Sequence, residues 1–111
     1  MSTIEHSQIS VKDLLVLENK IEEGDYILLD VRERREFESE HIPLATLMSI
    51  SELDKRWREL DPEKNLVLYC RSGVRSRRAA NLLASKGFKN ISILDGGLNH
   101  WRIERGSMEK R

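Results

Sequence analysis

The segment Cys70-Arg71-Ser72-Gly73-Val74-Arg75-Ser76 concentrates reactive chemistry: the only cysteine of the chain, two arginines and a glycine within seven residues. The apolar run Leu66-Val67-Leu68-Tyr69 leads directly into Cys70, and an amphipathic stretch follows. A loop between a strand end and a helix start turns several backbone N–H groups into one concave nest. The helix N-terminus adds about half a positive charge, and Arg71 and Arg75 add full charges nearby. A thiol there loses its proton more readily than a free cysteine, whose pKa is about 8.5, because the thiolate is stabilised. Such a thiolate can attack the outer sulfur of an anionic donor, and the resulting anion is held by the same N–H groups. The two arginines suit an oxyanion donor such as a thiosulfonate. No metal, cofactor or general base is required. A lone cysteine after an apolar strand is more often an inert buried residue; the arginines, glycine and helix start favour the nucleophile. Arg77 and Arg78 fall on the helix, where such charges face solvent, and are assigned no catalytic role.

A loop of this kind needs a strand and a helix to hold it, and the rest of the chain supplies a matching pattern. Short apolar runs alternate with amphipathic stretches, as β and α elements taking turns. Ser10 caps a helix with Val11, Leu14, Leu15 and Leu17 on its apolar face, ending at Gly24. Tyr26-Ile27-Leu28-Leu29-Asp30-Val31 is nearly continuously apolar, as in a parallel strand covered on both faces. Arg32 to Ser39 is charged around Phe37 and predicts a short surface helix, broken at Ile42-Pro43. Thr46 to Ile50 predicts a short strand. Ser51 then caps a helix carrying Leu53, Trp57 and Leu60, which stops near Asp61-Pro62. Ser76 to Lys86 is a helix with Ala79, Ala80, Leu82 and Leu83 inward and Gly87 as its stop. Ile91 to Leu94 is a last strand, and Gly96-Gly97 turns into a closing helix around Leu98 and Trp101. This order predicts an α/β fold: an open, mostly parallel sheet with helices on both faces. Ligands of such sheets bind beyond the carboxyl ends of the strands, where Cys70 falls.

With 111 residues and 39% hydrophobic content, the chain suits one compact domain, placed at residues 9–105. Its polar ends, residues 1–8 and 106–111, are expected to be flexible tails. Lys and Arg number 19, as do Asp and Glu, so the basic surplus that nucleic acid or an anionic membrane requires is absent. No apolar run approaches the ~20 residues of a bilayer span, and the first eight residues lack the regions of a secretory leader. One cysteine cannot close an intramolecular disulfide, which agrees with a reducing compartment. The expectation is a soluble cytoplasmic protein. Three scattered histidines, His6, His41 and His100, show no metal-ligand spacing with Cys70.

At three places the chain resembles the rhodanese family of sulfurtransferases. Leu29-Asp30-Val31-Arg32-Glu33, then Glu36-Phe37 and His41-Ile42-Pro43-Leu44-Ala45, are similar to its first signature; Tyr69 to Ser76 resembles its active-site loop; Leu94-Asp95-Gly96-Gly97 with Trp101 resembles its closing signature. The resemblance implies a rhodanese-type α/β fold around an open, mostly parallel five-stranded sheet. It implies Cys70 as a persulfide-carrying nucleophile, cradled by Arg71, Ser72, Gly73, Val74 and Arg75, with Asp30, Arg32 and Glu36 as a supporting polar network and His41 as structural. It further implies a small thiosulfate-like or persulfide donor and, with no second cysteine to resolve the persulfide, an external thiol or cyanide acceptor. Two positions depart from the family: Glu40 and Leu44 stand where glycine is common, which leaves the local turn geometry open.

Two other readings use the same loop. Phosphatases and arsenate reductases of related fold typically use C-x5-R, but here Arg75 comes one residue early and Ser76 stands in that place. The shorter loop suits a single sulfur better than a tetrahedral oxyanion. A sulfur-relay module would instead take sulfur from a partner protein's persulfide, and the basic rim of Arg71, Arg75, Arg77 and Arg78 suits an acidic protein patch as well as a small anion. An accessible thiolate carries the liability of over-oxidation.

Overall fold

The computed structural model describes residues 6–105 and the backbone of Glu109 and Lys110. In chain order the elements are β1 (Ser7–Ile9), α1 (Val11–Val16), α2 (Glu18–Glu23), β2 (Tyr26–Asp30), α3 (Arg34–Ser39), β3 (Glu40–His41), β4 (Thr46–Leu47), α4 (Ile50–Arg56), a 3-10 turn at Trp57–Glu59, β5 (Asn65–Tyr69), α5 (Val74–Ser85), β6 (Ile91–Leu94), α6 (Gly97–Arg105) and β7 (Glu109–Lys110). Five strands make one open sheet in the order β1-β6-β5-β2-β4, and every pairing in it is parallel. β3 and β7 form a separate antiparallel pair.

Side-chain alternation along the central strands creates two apolar layers. Leu66 and Leu68 of β5 and Leu29 of β2 face Leu53 of α4 and Ala79, Ala80 and Leu83 of α5. Val67 and Tyr69 of β5 and Leu28 of β2 face Val11 and Leu14 of α1 and Leu98 and Trp101 of α6. Leu68 and Leu83 are completely buried, and each such side chain contributes about 1.5–3 kcal/mol. Helix α5 ends on Gly87 (φ 99°): the Gly87 N–H donates to the Ala84 carbonyl and the Phe88 N–H to that of Leu83, both at 3.1 Å. These two bonds satisfy carbonyls the helix would otherwise leave open.

Several boundaries differ from the sequence expectation, each for a local reason. The helix anticipated from Ser10 to Gly24 is two, because the Leu17 N–H bonds the Leu14 carbonyl at 3.0 Å, a tighter turn that ends α1. The cap of α4 is Ser49, not Ser51; the Ile50 N–H is taken by the Val31 carbonyl, and Ser51 Oγ donates to Glu33 Oε1 at 2.9 Å. Ser7 and Gln8, anticipated in a flexible tail, belong to β1 and pair with Ser92 and Ile93. Glu109 and Lys110, anticipated in the other tail, pair with His41 and Glu40; residues 1–5, 106–108 and 111 lie outside the described residues.

The two departures from the family pattern resolve differently. Glu40 has φ −167°, extended backbone open to any residue, and its side chain pairs with Arg102 of α6. Leu44 keeps the positive φ (74°) that glycine would adopt without strain.

Candidate active site

Alternation along β5 decides where Cys70 points. After Leu66 and Leu68, its side chain joins the layer beneath α5, and the residue is 2% exposed. The thiol is therefore sheltered rather than openly accessible, a correction to the sequence reading. The chain turns through Arg71, Ser72 and Gly73 and enters α5 at Val74, two residues before the helix start anticipated. Gly73 has φ 130°, a conformation that L side chains rarely adopt, and this folds the chain back over the sulfur. The Gly73 N–H donates to Cys70 Sγ at 3.0 Å and the Ser76 N–H at 3.4 Å; Ser76 Oγ lies 3.5 Å from Sγ. Burial, the largest single influence, pushes the thiol pKa up. Hydrogen bonding with the Ser76 side chain, and hydrogen bonds from the backbone N–H groups of Ser76, Gly73 and Ser72, together outweigh it and set the pKa below its ordinary value.

The loop arginines take different roles. Arg75, anticipated as a contact for substrate, donates from Nη1 and Nη2 to Glu36 Oε1 and Oε2 at 2.6 and 3.0 Å. This pairing holds the Glu36 carboxyl down at about 2, against the opposing effect of burial. Glu36 Oε1 also accepts the Glu33 N–H at 3.0 Å, closing the first turn of α3. Arg75 and Glu36 thus form a latch from α3 to the start of α5. Arg71, Ser72 and Val74 are exposed, as are Arg77 and Arg78.

Asp30 and Arg32 lie beneath the loop as a buried pair. The Arg32 Nε and Nη2 donate to Asp30 Oδ1 and Oδ2 at 3.0 and 2.7 Å, and Nη2 also reaches the Glu40 carbonyl at 2.7 Å. The Tyr69 hydroxyl donates to Asp30 Oδ2 at 2.5 Å and accepts the Ile42 N–H at 3.1 Å. Burial and the Asp30 carboxylate push the Tyr69 hydroxyl well above its ordinary pKa, so it stays a donor. Tyr69 directly precedes Cys70, so the network ties the end of β2 to the start of the loop. His41 Nδ1 lies 2.9 Å from the Phe37 carbonyl, and its ring stacks on Phe37 at 3.8 Å.

Helix α6 clamps the loop from the other side. The Leu98 N–H donates to the Cys70 carbonyl at 2.9 Å and the Asn99 N–H to the Arg71 carbonyl at 3.1 Å. A Cβ at Gly97 would lie 2.4 Å from the Cys70 carbonyl oxygen and 2.8 Å from that of Arg71. The second glycine of the pair is what permits this approach.

Sequence reasoning gave Ser76 and Tyr69 no role in the site, and gave Gly97 only a turn into the closing helix. A polar handle on Tyr69 at the end of an apolar strand signals a buried partner, and a serine in the first turn of α5 is placed to face the nest. Gly97 was marked by the closing signature and the turn into the last helix, but neither shows the two carbonyls it approaches. Among the described residues, no group of three or more His, Cys, Asp or Glu could hold a metal ion, and no helix is long and apolar enough to cross a membrane.

Comparison with known proteins places the chain in a family. Residues 14–104 match the rhodanese-like domain family. A thiosulfate sulfurtransferase of Coxiella burnetii is 33% identical over 82 residues, 74% of this chain and 77% of that protein. A thiosulfate sulfurtransferase of Pseudomonas syringae is 37% identical over 82 residues, again 74% of this chain and 77% of the relative. The crystal structure of a rhodanese-related protein from Thermoplasma volcanium superposes with a TM-score of 0.81 at 31% identity, covering 96% of this chain and all (100%) of that one.

Proposed function

The chain belongs to the rhodanese-like family, and from that premise we propose that it is a sulfurtransferase working through a persulfide on Cys70. In the first half-reaction the Cys70 thiolate attacks the outer sulfur of thiosulfate or of a persulfide donor. The new Sγ–S bond forms, the donor's S–S bond breaks, and its electron pair leaves with sulfite or with the donor thiolate. In the second, cyanide or a thiolate attacks the outer sulfur, and the electron pair returns to Sγ. Sulfur moves as a neutral atom, so no external oxidant is consumed.

The observation that carries this reading is the convergence on Sγ of the Gly73 and Ser76 N–H groups at 3.0 and 3.4 Å. They stabilise a sulfur anion in a sheltered nest before and after transfer, with Ser72 N–H as a further donor. Asp30, Arg32 and Glu36 support the nest without touching the sulfur. Arg71, Ser72, Gly73, Val74 and Arg75 form its wall, with Arg75 acting through its latch. A second reading, a relay that draws sulfur from a partner protein's persulfide, is favoured by one observation. Arg75 is committed to Glu36, which leaves fewer free charges for a thiosulfate sulfonate. Cytoplasmic location belongs to the same proposal, on the strength of the single unpaired cysteine.

Intact-protein mass spectrometry after incubation with thiosulfate, then with cyanide, tests the proposal. One added sulfur on Cys70, removed by cyanide with thiocyanate released, is the expected result. Full transfer by a Cys70→Ser variant would refute it.

A further inference from the structure

Helix α6 and the Cys70 sulfur lie on opposite faces of the sheet. Leu98 and Trp101 of α6 pack in the layer with Val67 and Tyr69, whereas the Cys70 side chain belongs to the layer with Leu68 and Ala79. The loop between them is gripped from the α6 side through two consecutive carbonyls. The Leu98 N–H donates to the Cys70 carbonyl at 2.9 Å and the Asn99 N–H to the Arg71 carbonyl at 3.1 Å. Both donors belong to the first turn of α6, where N–H groups have no partner inside the helix. A trans peptide is planar and sets its N–H opposite its carbonyl, and the described residues contain no cis peptide bond. With the Arg71 carbonyl turned to α6, the Ser72 N–H is turned to the other face, where the sulfur lies. The next N–H along the loop, that of Gly73, reaches Sγ at 3.0 Å, and the Ser72 N–H is one of the backbone donors that lower the thiol pKa.

From this arrangement we infer that the first turn of α6 belongs to the machinery that holds the Cys70 anion: the Asn99 N–H fixes and polarises the Arg71–Ser72 peptide, which presents its own N–H to the sulfur across the sheet. Leu98 acts one peptide earlier by anchoring the Cys70 carbonyl. Both are positioning residues, since neither touches the sulfur or a substrate. A donor bonded to a peptide carbonyl strengthens the same peptide's N–H as a donor in turn. Of the charged groups around the loop, Arg75 is held by Glu36 and Arg32 by Asp30, while Arg71 and Arg77 are exposed; none of them changes when α6 is varied. The inference deepens the sulfurtransferase reading and rests on it only for the effect on turnover.

The test is the pH profile of Cys70 alkylation in the full chain. Asn99→Pro removes the N–H that binds the Arg71 carbonyl and no bond within the helix. Its midpoint is expected to rise by about 0.5 in pH, a fraction of what one hydrogen bond supplies. Persulfide loading by thiosulfate should slow about threefold below the midpoint and recover above it, because the thiolate fraction is what changes. Ile103→Gly weakens α6 from its exposed side and should leave the midpoint in place. A folded Asn99→Pro protein with the parent's midpoint, or an equal shift in Ile103→Gly, would overturn the inference. If the proline variant does not fold, amide NMR of the parent protein decides. The Asn99 and Ser72 amide resonances should then titrate together at the Cys70 midpoint, and a flat Asn99 resonance would overturn the inference. Failure of thiosulfate and small persulfides to load the parent would instead remove the sulfurtransferase reading, with the alkylation profile still deciding the role of α6.

Discussion

Of the groups hydrogen-bonded to the Cys70 sulfur, only the Ser76 hydroxyl is a removable side chain; the others are backbone N–H groups. Ser76→Ala deletes the hydroxyl 3.5 Å from Sγ, which also donates to the Gly73 carbonyl at 3.0 Å. The pH profile of Cys70 alkylation should move upward in this variant, at a stability cost of about 1 kcal/mol. An unchanged profile would show that the backbone N–H groups suffice. The Glu36–Arg75 latch makes a different prediction. Its carboxyl titrates at about 2 in the fold against an ordinary 4.5, so below pH 4.5 the unfolded chain binds a proton that the folded chain does not. The stabilisation is fully present above that value and is lost as pH falls toward 2. Glu36→Gln should lose about 1–2 kcal/mol at neutral pH and flatten the acid limb of a stability curve measured by urea unfolding. The latch was half legible in the sequence. Glu36 and Arg75 were both singled out, but 39 residues of separation hid that they meet.

Among the elements, the turn at Leu44 and the junction at Gly97 bear opposite relations to the glycine rule. Leu44 holds φ 74° while 42% exposed, so its strain has little packing to offset it. Leu44→Gly should stabilise the fold by about 0.5 kcal/mol, read as a higher denaturation midpoint: the relief of a left-handed conformation less the added freedom of the unfolded chain. A lower midpoint would mean that Leu44 packs better than its exposure implies. Gly97→Ala puts a methyl group against two carbonyls, so α6 must lift off the loop. A loss of about 2–3 kcal/mol is expected, together with slower persulfide loading of Cys70 than in a surface variant of equal stability. Strand and helix identities followed from apolar runs and periodicity. The break at Leu17 and the cap at Ser49 did not, because hydrogen bonds that a pattern does not contain decide them.

At the scale of the whole molecule, the sheet delivers its polar network and its nucleophile from adjacent residues of one strand. Tyr69 faces the α1 and α6 layer and Cys70 the α5 layer, so Tyr69→Phe tests whether the two layers communicate. It strips Asp30 and the Ile42 N–H of a shared hydroxyl and should cost about 1–3 kcal/mol in urea unfolding. The Cys70 alkylation profile should hold, since the donors to sulfur come from the other layer. A shifted profile would mean that the network tunes the thiol directly. The sequence by itself determined the order of elements, the α/β class and the position of Cys70 at a strand end, because local periodicity and a short loop encode these within a few residues. Only the tertiary structure decided that all five strands run parallel, that Arg75 is taken up by Glu36, and that Arg35 and Arg71 line one cavity without an ion-pair partner among the described residues. Those outcomes depend on which distant side chains the packed layers bring within hydrogen-bonding distance, and no spacing along the chain records that.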